Sequence, residues 1–189
     1  ITSQQLEDLL SQDPTLSFRL LKLVNSAAFS QINKVDSLQK AVMIAGLEQI
    51  KAWVTMLSLG KLEEKPKELS KQSLQRAYFC QHLARSIPGI ASDIAFTAGL
   101  LSNLDAYFDT PLDQLLSKIH LQDDINTALT KRSGKLGFIF TTVLYMEKGE
   151  WQKIRWQLWK KTGLDASQIE WFYLESIKEA EKLLDSSYR

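Results

Sequence analysis

The chain carries only four prolines and eight glycines in 189 residues, and they fall between periodic apolar segments rather than inside them. Apolar residues recur at three- and four-residue spacing almost throughout, and no strictly alternating run is long enough for a strand. This predicts an all-α protein, a single multi-helix bundle over residues 1–189, with roughly ten helices. They are expected near 3–11, 14–25, 37–45, 48–59, 67–87, 91–108, 112–119, 122–132 and 134–147, with one or two beyond Glu150.

The boundaries have chemical causes. Asp13-Pro14 reads as a cap followed by proline at the first helical position, where a missing N–H costs nothing. Asp36-Ser37 reads as a second cap, and Thr110-Pro111 repeats the cap-then-proline signal. Gly46, Gly60, Gly89 and Gly163 follow apolar segments, where a left-handed residue ends a helix. The hydrophilic link KLEEKPK (61–67) reads as a loop. No internal repeat or second domain is visible.

Bulk properties exclude several classes of function. With 44% apolar and 24% charged residues, the chain has the composition of a protein with a packed core. A net charge of +1 removes the strongest electrostatic reason to expect nucleic acid. The single cysteine permits no intrachain disulfide, which fits the cytoplasm. No apolar stretch reaches membrane-span length, and no signal peptide opens the chain. Since the first residue, Ile1, lies inside a helical pattern, the sequence is expected to be a piece of a longer protein.

Candidate chemistry is sparse. Cys80 and His82, two apart on a helix, point in nearly opposite directions and cannot pair, so a buried thiol and a surface or capping histidine are expected. His120 follows the end of a short helix, where a cation suits the dipole. These two histidines and one cysteine match no zinc spacing. Two S-x-x-K matches (Ser37 to Lys40, Ser58 to Lys61) and Lys161-Thr162-Gly163 lack the S-D-N element and the strand that a penicillin-binding enzyme needs. The pairs Glu63-Glu64 and Asp123-Asp124 read as solvated loop and first-turn charges. Gly134-Lys135-Leu136-Gly137 lacks the strand and the ending of a phosphate loop.

Two segments carry sharper signals. AVMIAGLEQIKAW (41–53) has the outline of a helix-turn-helix, but its second helix offers only Gln49 and Lys51, beside Glu48, to read DNA. It is read as a tightly turned helix pair with Trp53 as a core anchor. EWQKIRWQLWKK (150–161) is read as one helix, with Trp151, Ile154 and Leu158 on a common face. Trp156 and Trp159 leave that face and are the candidate partner surface, the alternative being core burial under the last helix, where Ile169, Phe172, Leu174 and Ile177 supply apolar area. The cations Lys153, Arg155, Lys160 and Lys161 beside them suit a membrane surface or an acidic partner.

The stretches DPTLSFRLLKLVNSAAF (13–29), VDSLQKAVMIAGLEQIKAW (35–53) and AFTAGLLSN (95–103) together resemble the HDOD family. Asp13, Pro14, Leu16, Arg19, Leu20, Leu21, Asn25, Ser26, Ser37, Leu38, Ala41, Val42, Gly46 and Trp53 occupy its hallmark positions. The resemblance implies an HD-like helical core related to HD-type metal phosphohydrolases, many of whose HDOD relatives lack a full set of metal ligands. Where His-Asp would stand, this sequence has Ser102-Asn103, a neutral hydroxyl and amide that make poor divalent-metal ligands. They are expected to be helix residues in a vestigial pocket, with no metal, no cofactor and no catalysis. Downstream, A-G-L-(x)-L-D-A-x-x, P-L-x-x-L-L, G-x-L-G and G-x-W resemble the HDOD domain that follows an EAL domain in bacterial signalling proteins. EAL domains bind or hydrolyse cyclic di-GMP. The resemblance therefore implies a non-catalytic regulatory module that contacts a protein partner or an upstream EAL domain. A residual metal-dependent phosphohydrolase and nucleic-acid binding through 41–54 are the alternatives.

Overall fold

The computed structural model describes residues 3–25, 35–45, 50, 67–117 and 121–186. The described residues contain helices and no strand: α1 Ser3–Ser11, α2 Pro14–Val24, α3 Leu38–Ala45, α4 Lys67–Ala84, α5 Ser92–Leu101 and α6 Leu104–Phe108. They continue as α7 Leu112–Ser117, α8 Asp123–Lys131, α9 Gly134–Glu147, a 3-10 turn Trp151–Lys153, α10 Trp156–Lys161 and α11 Ala166–Ser186. Gly46, Gly60, Trp53, His120, most of the helix-turn-helix outline and the 48–59 helix lie outside the described residues, apart from the buried Ile50. None of the described helices is long and apolar enough to cross a membrane.

Helix α4 is the hub, packed against α5, α9 and α11. Leu74, Ala77, Phe79, Cys80 and Leu83 along it are fully buried, a spread too wide for one helix face. A helix apolar over so much of its circumference must be covered from several sides. Burial pushes the Cys80 thiol well above its usual range. His82 departs from expectation: it is buried, stacked on Phe172 and bonded through Nε2 to Glu179 at 2.6 Å, which ties α4 to α11.

Several local signals are realised. Asp13 Oδ1 accepts from the backbone N–H groups of Thr15 (2.9 Å) and Leu16 (3.0 Å), capping α2. Ser37 Oγ accepts from the Lys40 N–H at 3.1 Å. Gly163, at φ +89°, closes α10: the Leu164 N–H bonds to the Trp159 carbonyl and the Gly163 N–H to that of Lys160. Asp165 and Gln168 then cap α11 reciprocally. The Thr110-Pro111 signal is met differently. Thr110 Oγ1 donates to the Phe108 carbonyl, and α7 starts at Leu112, one residue after the proline.

Asn25 gives one hallmark position a physical role. Buried at the end of α2, its side chain donates to the Val35 carbonyl (2.6 Å) and accepts from the Val35 N–H (2.9 Å). One amide thus replaces both partners of a backbone peptide and pins the entry to α3.

Not all glycines act as punctuation. Gly99 lies inside α5, and a Cβ there would sit 2.5 Å from the Arg76 carbonyl oxygen and 2.6 Å from Ala77 Cα. It allows α5 to approach the backbone of α4 more closely than any side chain permits. Gly137 does the same for α9 against Arg132. The Gly-Lys-Leu-Gly segment is therefore a helix start and a close-packing point, consistent with its failure as a phosphate loop.

Candidate functional site

The close approach at Gly99 sets the next turn of α5 against α4. There Ser102 and Asn103, both buried, meet Gln72, Ser73 and Arg76. They were expected to lie within one helix over 91–108, but the helix breaks at them. The Ser102 N–H reaches back three residues to the Gly99 carbonyl, and Ser102 Oγ donates to the same oxygen at 2.7 Å. Asn103 turns at φ −110°, ψ 14°, and α6 starts after it. Serine and asparagine compete with helical hydrogen bonding in this way.

Arg76 organises the cluster. Its Nη1 donates to Ser102 Oγ at 3.1 Å and to Asn103 Oδ1 at 2.5 Å. On the other side, Nε and Nη2 donate to the two carboxylate oxygens of Glu147, each at 2.8 Å. Arg76 and Glu147 are each only 12% exposed, so this forked ion pair is largely withdrawn from solvent. Asn103 Nδ2 is shared between Gln72 Oε1 and Ser73 Oγ, both at 3.3 Å. Nearby, the Tyr107 hydroxyl is hydrogen-bonded to Ser70, while burial raises its pKa.

A divalent cation does not fit these donors. Both side-chain oxygens of Ser102 and Asn103 are engaged by a guanidinium, whose positive charge would repel a metal at that point. The one carboxylate in contact, Glu147, is occupied bidentately by the same arginine. Among the described residues, no three or more His, Cys, Asp or Glu side chains are gathered as a metal site requires. The arrangement is a hydrogen-bonded lock joining α4, the α5–α6 break and α9. Sequence reading found Ser102 and Asn103 and missed Arg76, Gln72, Ser73 and Glu147. Gln72, Ser73 and Arg76 fall at one-helix-face spacing, but nothing in sequence links them to Glu147, 71 residues on.

The tryptophan segment requires a correction. It is not one helix: Ile154 is extended at ψ 133°, separating the 3-10 turn from α10. The faces expected from a continuous helix therefore change. Trp159 is fully buried, stacked on Phe138 at 4.6 Å between centroids, and its Nε1 donates to Thr142 Oγ1 at 3.0 Å. It anchors α10 to α9 and is not available as a contact surface. Trp156 is half-buried, with its Nε1 bonded to the Trp151 carbonyl. Trp151 and Leu158, expected on a common face with Ile154, are 49% and 39% exposed, whereas Ile154 is buried. On α11, Trp171 (56%) and Leu174 (50%) are also exposed.

The same architecture occurs elsewhere. A solved structure of the MmoQ response regulator from Methylococcus capsulatus superposes with a TM-score of 0.75 over 92% of this chain and 90% of its own, at 17% identity. That likeness shows the fold alone. In sequence, the chain is 34% identical to the cyclic di-GMP phosphodiesterase CdgJ of Vibrio cholerae, over 87% of its own length and 38% of that protein. It is 26% identical to YuxH of Bacillus subtilis, over 97% of its own length and 45% of that protein. The chain thus spans less than half the length of either relative. The HDOD domain matches residues 1–109, from α1 through α6, which takes in Arg76, Ser102 and Asn103 but not Glu147, and on that match the chain belongs to the HDOD family.

Proposed function

We propose that the chain is a regulatory signal-transduction module that works by protein–protein contact in bacterial cyclic di-GMP signalling and performs no hydrolysis itself. The observation carrying this reading is the Arg76 lock. Ser102 and Asn103, which the family resemblance sets where HD-type relatives carry metal ligands, are both engaged by a guanidinium already paired to Glu147. The likeness to CdgJ supports the signalling context. The phosphodiesterase activity in that protein's name is assigned here to the part of it that this chain does not match.

The partner in this reading is an EAL domain, in the same chain or another. The contact surface is Trp156 with the exposed Trp151 and Leu158 beside it, since exposed aromatics concentrate binding energy when a partner desolvates them. Trp159 has no part in it. The test combines metal analysis, a phosphodiester hydrolysis assay with Mg²⁺ and Mn²⁺, and capture of a purified EAL domain. No turnover and no stoichiometric metal are expected, and Trp156→Ala should weaken capture while leaving the melting temperature nearly unchanged. About one metal per chain, lost on Asn103→Ala, would establish the phosphohydrolase reading instead.

A further inference from the structure

A second group of cations lies outside the residues matched by the HDOD domain. Ser133, Gly134, Phe138, Thr141, Thr142 and Tyr145 lie along one side of α9 and its start, at helical spacing. Lys153 and Arg155, from the segment that crosses back before α10, and Arg132, from the turn before α9, complete the lining of a cavity of about 300 Å³. Three of its nine lining residues are cationic and none is acidic.

These cations differ from Arg76 in what they touch. Arg132 and Arg155 form no ion pair with any carboxylate among the described residues. Arg132 is instead held in the left-handed region at φ 55°, its guanidinium 4.5 Å from the centre of the Phe140 ring. Burial, and then the charge of Arg76, lower its pKa, and the Asp105 carboxylate offsets them only in part. Lys153 is paired with Glu150 at 2.9 Å, at the rim. At the head of the groove, the Ser133 side chain does not cap α9, which leaves the first-turn N–H groups without that acceptor. The far wall is rigid and aromatic: Phe138 is backed by the buried Trp159.

We propose that this groove binds a small phosphate-bearing ligand with an aromatic ring, of mononucleotide size. The arginines and Lys153 supply charge-assisted hydrogen bonds to the phosphate oxygens, and the helix start adds its dipole. Phe138 and Tyr145 line the groove as rings for stacking, which tolerates any base, and Lys153 Nζ lies 5.9 Å from the Tyr145 ring centre. The cavity lies at the small end of the range for ligand pockets, which limits the occupant to one nucleotide unit. An acidic peptide would meet the same charges, but it has no use for a backed aromatic wall.

Calorimetric titration of the full chain with GMP, guanosine and inorganic phosphate tests this. Saturable GMP binding is expected, with guanosine and phosphate each at least about tenfold weaker, because each lacks half of the recognised chemistry. Arg155→Gln and Lys153→Gln should each weaken GMP about tenfold without changing the fold by circular dichroism. No saturable GMP binding up to about 10 mM would overturn the proposal. So would guanosine binding as tightly as GMP, or GMP binding unchanged in the Arg155→Gln/Lys153→Gln double variant. An Asp/Glu-rich peptide or anionic lipid vesicles that bind where GMP does not would overturn it in favour of a macromolecular surface.

Discussion

Arg76 and the Arg132–Lys153–Arg155 groove set the same kind of charge in opposite circumstances. Arg76 has every contact supplied by its own chain: two carboxylate oxygens on one side, a hydroxyl and an amide on the other. Its charge is used up in joining three helices. In the groove, two of the three cations form no ion pair among the described residues, and the wall opposite them is aromatic. The difference teaches where to look for function among the polar clusters of this fold. A polar cluster that is fully satisfied internally acts as structure, whereas charges left without partners are free to meet something else.

The sharpest way to probe this contrast is at the wall the groove is built on. Trp159→Ala should cost about 3–5 kcal/mol, the range for emptying a large buried aromatic site, with loss of the Thr142 hydrogen bond included. Chemical denaturation measures it. A loss below about 1 kcal/mol would mean that the groove's floor is not part of the core.

Next comes the lock itself. Arg76→Ala leaves the Glu147 carboxylate largely buried and unpaired, and should destabilise by about 3 kcal/mol. Replacing both members with Met and Leu should recover much of that loss, because the penalty comes from the stranded charge. If the single variant unfolds with the wild-type midpoint, the lock is ornamental and the comparison collapses.

The smallest effect is expected at the groove rim. Arg155→Gln should change stability by less than about 0.5 kcal/mol, as for surface positions without partners. A loss above about 1 kcal/mol in the same denaturation experiment would make this cation structural, like Arg76.

Much of the fold was legible in advance because its signals are local. The Asp13 and Ser37 caps, the glycine that ends α10 and most helix positions depend on groups within a few residues of each other. Expectations went wrong where a distant group intervened. The 91–108 helix breaks at Ser102-Asn103, where an arginine from α4 holds Asn103. His82 was expected at the surface and is covered by α11, a helix 97 positions downstream at Glu179. The tryptophan segment was misread because one extended residue, Ile154, resets the phase of every face after it.

The sequence by itself determined the helical class, the caps and turns, the family, and the neutral character of the Ser102-Asn103 pair. Periodicity, capping and motif identity are properties of neighbouring residues, so the chain carries them before it folds. Only the tertiary structure decided that Arg76 and Glu147 would close over that position, that Trp159 would turn inward, and that Arg132, Lys153 and Arg155 would share a groove. Each of those outcomes depends on helices meeting at a particular distance. At the lock, that distance is set by Gly99, where the absence of a single Cβ lets two backbones touch.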